Sequence, residues 1–234
     1  MLSDLQIERY SRQIILPHVG GKGQERLLRA RVLVSGHGSW HAQALLYLAA
    51  AGLGHIGICG NEDHPMMTAL LPEQQHSALV ALQRLNPDCE IVTHSPQLLC
   101  DVAKAAQLVQ QYDLVIAEPH VSLHTACYTT QRPFICGQVA HASAWFAVYR
   151  GYEDGLPCLA CEPLPARAPD RAPPVDWPVG PFLGTILATE GIKYILGLSQ
   201  QGSPQLRQYT FPQLSFSARR LTKNDDCSVC RRSQ

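Results

Sequence analysis

The chain has 234 residues, of which 46% are apolar, and its formal net charge is zero. This length and composition can bury a substantial core and fit one large α/β domain or two small ones. No run of Lys and Arg provides the basic surface that binding to a phosphate backbone requires, so nucleic acid is not an expected partner.

The N-terminal segment, MLSDLQIERYSRQIILP, is charged and lacks the apolar core of a signal peptide. No later stretch reaches the roughly 18 apolar residues of a membrane span. We therefore expect a cytoplasmic protein that does not act at a membrane. Most of the nine cysteines should be reduced thiols there, so pairs at short spacing favour a metal site over a disulfide.

The first predicted element is an amphipathic helix over residues 4–14. Ser3 followed by Gln6 fits a capping box at its start. Arg9 and Arg12 lie about one turn apart and share a face, which on its own is also typical of a solvated charged surface. A second helix is predicted around residues 23–30.

Strands and helices then alternate along the chain. The apolar run Val32–Val34, bounded by glycines, is typical of a buried parallel strand, and an Ala- and Leu-rich helix follows it and ends near Gly52. Further strands are predicted over 55–60, 89–94, 113–119 and 133–139, and further helices over 72–85, 101–112 and 122–131. This alternation predicts an α/β fold with a doubly wound, Rossmann-like, mostly parallel sheet.

The C-terminal part differs in composition. Residues 163–181 are dense in Pro, Ala and Arg, which predicts an irregular crossing loop. A strand is predicted over 143–150, a helix over 181–198, and antiparallel strands over 208–212 and 215–221. We expect a single domain, 1–234, made of N-terminal helices (1–30), a Rossmann-like core (31–150), and a part with the crossing loop, cysteine knuckles and final strands (151–234).

Two Cys-x-x-Cys pairs are the strongest local signal. They have the spacing of structural zinc knuckles, in which each pair turns two thiolates toward one tetrahedral ion. The pairs are far apart in the sequence, so one shared ion would tie the final strands to the end of the sheet. A redox-active pair is the alternative. The predicted ligands are Cys158, Cys161, Cys227 and Cys230.

Motifs along essentially the whole chain resemble the E1-like family of the ThiF, MoeB and HesA type. They are the opening string RYSRQIILPHVGGKGQERLLRARVLVSGHG, then LNPDCEI, YDLVIA, PCLAC, EGIKYILG and the terminal CSVC. The resemblance implies a domain that binds ATP and adenylates the C-terminal glycine of a ubiquitin-like or sulfur-carrier protein. It also implies pairing with a second E1-like protein, as a homo- or heterodimer formed through the N-terminal dimerisation helices (1–30), and zinc at the four cysteines.

The glycine-rich turn after the first strand departs from the family pattern. Gly36 and Gly38 keep the positions at which backbone N–H groups approach a phosphate. Trp40 and His41 stand where the family has small residues. The two glycines are therefore expected to form only a remnant of a nucleotide site.

Other nucleotide contacts implied by the resemblance are also replaced. Gly60 stands in place of an Asp that accepts hydrogen bonds from the ribose, and Glu62 can substitute only if its loop shifts. Gln74 replaces a phosphate-binding Lys, and His120 replaces a carboxylate that binds Mg²⁺, a cation that prefers oxygen. We therefore expect weakened binding of ATP and Mg²⁺.

We interpret the chain as a non-catalytic E1-like subunit or scaffold that has no catalytic residue for its own pocket. In related proteins the second Arg of the RYSRQ motif reaches the phosphates bound by the neighbouring subunit. Arg12 would play that part for an active partner. The family's usual nucleophilic Cys in the crossing loop has no counterpart, because no Cys lies between Cys161 and Cys227.

Two alternatives remain open at this point. The first is an active adenylyltransferase whose site is rebuilt from Glu62, Glu118 or His120. The second is a binding module that uses the emptied pocket for another ligand, at a cluster near the switch point of the sheet. The residues of that cluster are Trp40, His37, His41 and His120.

Overall fold

The computed structural model describes residues 1–60, 78–140, 142–161, 164, 178–199, 204–211 and 213–231. The helices in these ranges are α1 (Asp4–Ile14), α2 (Gly20–Arg29), α3 (Gly38–Ala50), α4 (Ala78–Leu85), α5 (Val102–Val109), α6 (Val121–Thr129) and α7 (Val179–Leu196). The strands are β1 (Arg31–Gly36), β2 (His55–Gly60), β3 (Glu90–Thr93), β4 (Leu114–Ala117), β5 (Phe134–Ala140), β6 (Ser143–Tyr149), β7 (Gln205–Thr210) and β8 (Ser215–Arg220). Short 3-10 helices span Pro96–Cys100 and Leu159–Cys161.

The strands form one sheet in the order β3-β2-β1-β4-β5-β6-β7-β8. Strands β1 to β5 pair in parallel, and β6, β7 and β8 continue the sheet in antiparallel fashion from β5. The strand order reverses between β1 and β4, so a crevice opens at the carboxyl ends of these two strands. The predicted fold class is confirmed.

The parallel strands are buried on both faces because their residues are apolar at nearly every position. Val32 and Val34 pack with α3 and α7 on one face, whereas Leu33 packs with α5 and α6 on the other. Alternate residues of one strand therefore belong to two different hydrophobic cores. This packing holds the carboxyl end of β1 rigidly between two layers of helices.

Helix α7 approaches α3 unusually closely through two glycines one turn apart. A Cβ at Gly180 would collide with Oγ of Ser39, and a Cβ at Gly184 would collide with the carbonyl oxygen of Trp40. This approach fixes the position of the first turn of α3, which begins at the crevice.

Helix α1 is held to the rest of the chain by the first two residues of the RYSRQ motif. Nη1 of Arg9 lies 2.5 Å from Oδ2 of Asp88. The buried hydroxyl of Tyr10 donates to the same carboxylate at 2.9 Å and accepts from Nδ2 of Asn86 at 2.9 Å. Arg9 therefore pairs within its own chain. The capping box predicted for α1 is confirmed.

Several boundaries differ from the sequence-based prediction. Helix α2 begins at Gly20, β7 spans Gln205–Thr210, and a 3-10 helix with Pro96 in its first turn lies between β3 and α5. The residues 61–77, and the crossing loop apart from Leu164 and residues 178–181, lie outside the described ranges. No helix in the described ranges is long and apolar enough to span a membrane.

Candidate functional site

A cavity of about 510 Å³ opens at the crevice between the carboxyl ends of β1 and β4. Its size falls within the range of small-molecule sites. The described residues that line it come from the ends of three neighbouring strands, the turns after them, and a 3-10 helix: Ser35, Gly36, His37, Cys59, Gly60, Pro96, Leu99, Glu118, Pro119 and His120.

The turn after β1 presents the start of α3 at the edge of this cavity. Gly38 has a φ of +82°, a left-handed conformation that glycine adopts at no steric cost, and a Cβ there would meet no atom within 4 Å. His37, at the N-cap, makes no side-chain capping bond to the first turn. The start of a helix carries a partial positive charge and can receive an anion.

Glu118 is the carboxylate of this site, and two side chains from the β1–α3 turn hold it. Nε1 of Trp40 donates to Oε1 at 2.8 Å, and Nδ1 of His37 lies 3.3 Å from Oε2. Trp40 is only 2% exposed, and its ring lies so close to Gly36 that a Cβ at this glycine would collide with it. The indole thus fills the space between the glycine turn and the end of β4.

The structure brings only part of the predicted histidine and tryptophan cluster together. His37 and Trp40 meet at Glu118, and His41 is buried with its ring edge-on to Trp40. His120 lines the cavity, but its Nδ1 accepts from the backbone N–H of Leu123 at 3.3 Å and caps α6.

Of the three predicted nucleotide-site residues, Gly36 lies in the cavity wall, Gly38 begins α3, and Glu62 lies outside the described residues. Sequence reasoning missed Cys59, which also lines the cavity and whose Sγ donates to the carbonyl oxygen of Ser95 at 3.7 Å. Burial raises the pKa of the Cys59 thiol to about 11, so this group stays protonated at neutral pH.

Arg12 lies in the last turn of α1 and is exposed. None of the contacts of the described residues joins it to the cavity of its own chain. Its guanidinium is therefore available at the surface, where it can pair with an anion outside this chain.

The two Cys-x-x-Cys pairs meet in one buried cluster whose Sγ atoms all lie within 4.8 Å of one another. Sγ of Cys158 lies 3.5 Å from that of Cys227, and Sγ of Cys161 lies 3.3 Å from that of Cys230. A tetrahedral ion with metal–sulfur bonds of about 2.3 Å would place its ligands about 3.8 Å apart. The four thiols therefore fit a single metal ion.

The surroundings of the cluster favour a thiolate at Cys227, whereas burial raises the pKa of Cys158 and of Cys230. Burial alone would raise the pKa of Cys227, but hydrogen bonds from the backbone N–H groups of Cys230 and Val229 help lower it to about 7. Leu159, between the first two cysteines, donates its backbone N–H to Nε2 of His124 at 3.0 Å. Burial lowers the pKa of His124 to about 4, so the imidazole is neutral at pH 7 and has one nitrogen that can accept this hydrogen bond.

Solved structures share this fold at low sequence identity. The crystal structure of Escherichia coli MccB with ATP has a TM-score of 0.75 at 18% identity and covers 95% of this chain and 74% of that one. The crystal structure of PaaA has a TM-score of 0.71 at 16% identity and covers 94% of this chain and 84% of that one.

Relatives found by sequence share a higher identity with this chain than these solved structures do. The chain is 34% identical to "Adenylyltransferase and sulfurtransferase MOCS3" of Culex quinquefasciatus over 98% of its own residues, but it spans only 56% of that protein. It is 29% identical to "Sulfur carrier protein adenylyltransferase" of Thermus thermophilus over 96% of its residues and 91% of that protein. The ThiF family model matches residues 10–63 and 73–229, which include the end of α1, the glycine turn and three of the four clustered cysteines, Cys158, Cys161 and Cys227. The chain belongs to the ThiF family.

Proposed function

We propose that this chain adenylates the C-terminus of a small ubiquitin-like or sulfur-carrier protein. The observation that carries the proposal is the cavity of about 510 Å³ at the switch point, with the open start of α3 at its edge. Similarity to proteins named as adenylyltransferases over nearly the whole chain supports it. This is the active alternative considered from the sequence, and the similarity favours it over the non-catalytic interpretation.

The chemistry is a single adenylyl-transfer step, in which AMP moves from ATP to the carrier. A terminal carboxylate oxygen of the carrier attacks the α-phosphorus of ATP, a new oxygen–phosphorus bond forms, and the bond to pyrophosphate breaks. In this proposal the backbone at Gly36 and Gly38 and the first turn of α3 receive phosphate oxygens. Glu118 faces the same space as a fixed carboxylate, and Glu62 remains a candidate for the ribose on sequence grounds.

A second candidate function is a non-catalytic subunit, and one observation favours it. Within the described part of the chain, no Lys or Arg lines the cavity. Charge-assisted contacts to phosphates contribute roughly 1.5–3 kcal/mol each, so their absence weakens triphosphate binding strongly. In this reading the chain would pair with an active E1-like protein.

Both functions give Arg12 the same role in a dimer formed through the N-terminal helices. We propose that its exposed guanidinium reaches the phosphates bound by the neighbouring subunit, where a positioned cation stabilises negative charge. The partner is a second copy of this chain in the first function and a different E1-like protein in the second.

We also propose that the cysteine cluster holds zinc. Four thiolates at tetrahedral spacing suit Zn²⁺, and the ion's part here is structural because all four ligand positions are filled by the protein.

The experiment is pyrophosphate exchange into ATP, together with mass spectrometry of the carrier for an AMP adduct on its C-terminus. The purified chain is assayed alone with small carriers that end in glycine, and again with E1-like partners. Exchange by the chain alone supports the first function, whereas exchange only in a mixture with an active partner supports the second.

Arg12→Ala should lower exchange by about 100-fold or more in either case, as removal of a charge-stabilising group does. Arg29→Ala, which removes an exposed arginine at the end of α2, is the matched control. Equal rates for the wild-type chain and Arg12→Ala would rule out the trans role of Arg12.

A further inference from the structure

Glu118 dominates the charge of the cavity. Among the described lining residues it is the only Asp, Glu, Lys or Arg, and the rest are small, apolar, thiol or imidazole side chains. A ligand that enters the cavity therefore meets one carboxylate, the imidazoles of His37 and His120, and no Lys or Arg from the described walls.

The position of this carboxylate is fixed. Each of its oxygens has one partner, Nε1 of Trp40 at 2.8 Å and Nδ1 of His37 at 3.3 Å. Trp40 is itself buried, with its ring against Gly36. The carboxylate cannot turn away from an incoming anion without breaking the bond to the indole.

The sequence offers no nearby cation from the elements that form this edge of the sheet. There is no Lys or Arg over residues 32–83, 85–103 or 105–131, which include β1, β2 and β4 with the turns that follow them. Acidic residues do occur there. Within these segments no Lys or Arg offsets the charge of Glu118, and His37 offsets it only when its imidazole is protonated.

We propose that Glu118 sets the charge selectivity of the cavity. Without a divalent cation the cavity binds an uncharged nucleoside in preference to a triphosphate. It binds the triphosphate as its complex with a divalent cation. The choice of an adenine ligand rests on the proposed function. Like charges a few ångströms apart in a partly buried site repel strongly, and a divalent cation removes that repulsion. Each carboxylate oxygen keeps a lone pair beyond the one used by Trp40 or His37, and Mg²⁺ prefers such oxygens.

The first test uses the full wild-type chain and calorimetric titration with adenosine, AMP and ATP. Buffers are freed of divalent cations by a resin before the protein is added, and zinc content is measured afterwards to verify that the cysteine cluster is unchanged.

Without added metal, we expect affinity to fall from adenosine to ATP by roughly tenfold. With Mg²⁺, the affinity for ATP should rise by about the same factor. Affinity that rises with each added phosphate without metal would overturn the proposal, as would the absence of binding by all three ligands.

The second test replaces Glu118 by its neutral isostere. Glu118→Gln keeps an oxygen that can accept from Trp40 but removes the charge. Binding of metal-free ATP should become about tenfold tighter, the gain on adding Mg²⁺ should shrink, and adenosine affinity should not change. Glu153→Gln is the matched control, because Glu153 pairs with Arg150 in the turn after β6. If Glu118→Gln leaves the ratio of ATP to adenosine affinity at the wild-type value, the proposal is wrong.

These outcomes are separable from those for the proposed function. If no carrier is adenylated but the order of ligand affinities is as stated, the charge selectivity stands and the catalytic proposal fails. If adenylation occurs and metal-free ATP binds as tightly as its Mg²⁺ complex, the catalytic proposal stands and the selectivity proposal fails.

Discussion

Tyr10 provides the most buried polar contact of the N-terminal helix. Its hydroxyl donates to Asp88 and accepts from Asn86, whose side chain also donates to the carbonyl oxygen of Ala49 at 2.7 Å. Burial raises the pKa of Tyr10 to about 12, so the phenol keeps the proton that it donates. One hydroxyl thus connects α1, the end of α3 and the loop before β3.

We expect Tyr10→Phe to lower the free energy of unfolding by about 1–3 kcal/mol, because it leaves buried partners of the hydroxyl without their hydrogen bond. Urea denaturation measures this change. Tyr47→Phe is the control, since Tyr47 is 46% exposed and its substitution should cost little. Similar losses for both variants would show that the network does not stabilise the fold.

At the scale of residues, the sequence predicted what depends on local spacing. The capping box of Ser3 and Gln6 and the two cysteine pairs are short motifs whose geometry follows from a few backbone positions. The bond between Trp40 and Glu118 joins residues 78 positions apart. No local pattern contains it, so it became visible only in the folded chain.

At the scale of elements, the contact between α3 and α7 positions the start of α3 beside the cavity. Gly184 lies against the backbone of Trp40, the residue that holds Glu118. A change in the packing of these two helices would therefore move the backbone of Trp40 and alter its hydrogen bond to Glu118.

We expect Gly184→Ala to lower the free energy of unfolding by about 1–3 kcal/mol, because the added methyl group would collide with the backbone of α3. Thermal unfolding measures the loss, and a changed tryptophan fluorescence spectrum would report a shift of Trp40. Gly21→Ala in α2 is the control: a Cβ there meets no atom within 4 Å, so better helix propensity should stabilise by up to about 1 kcal/mol. Greater stability of Gly184→Ala than of the wild type would contradict the close-packing argument.

The order of elements could be predicted because the parallel strands are apolar at nearly every position and alternate with helical segments. The bounds of β7 could not, because the predicted strand covered 208–212 whereas β7 spans Gln205–Thr210. Strand β8 lies within one residue of its predicted bounds, but it is exposed along its whole length, with Phe216 at 63% exposure, so no inward and outward alternation predicts which strand it pairs with. Its place is set by pairing with β7, which is a contact between segments rather than a property of either one.

At the scale of the whole molecule, the cysteine cluster joins the segment after β6 to the turn after β8. Its two knuckles lie 69 residues apart, and the chain between them contains α7, β7 and β8. A bound ion would therefore cross-link the two ends of the segment that contains α7, the helix that packs on α3. The meeting of the four cysteines was predictable from the paired spacing, whereas the support of the first knuckle by His124 was not.

We expect the purified chain to contain about one zinc ion per molecule, and Cys230→Ser to contain almost none. Loss of the ion should lower the melting temperature by several degrees or more, because binding of a structural metal contributes directly to folding. Elemental analysis and thermal unfolding measure the two effects. Cys100→Ser, which changes an exposed cysteine outside the cluster, is the control. Equal zinc content in Cys230→Ser and the wild type would exclude the cluster as the metal site.

The long separation of the two knuckles has a consequence for biosynthesis. When Cys158 and Cys161 leave the ribosome, the residues that complete their coordination sphere have not yet been made. The four-thiolate site can therefore assemble only after α7 and the final hairpin have been translated. Until then the first cysteine pair remains open to oxidation, so the nascent chain depends on a reducing environment for longer than a protein with a contiguous zinc finger would.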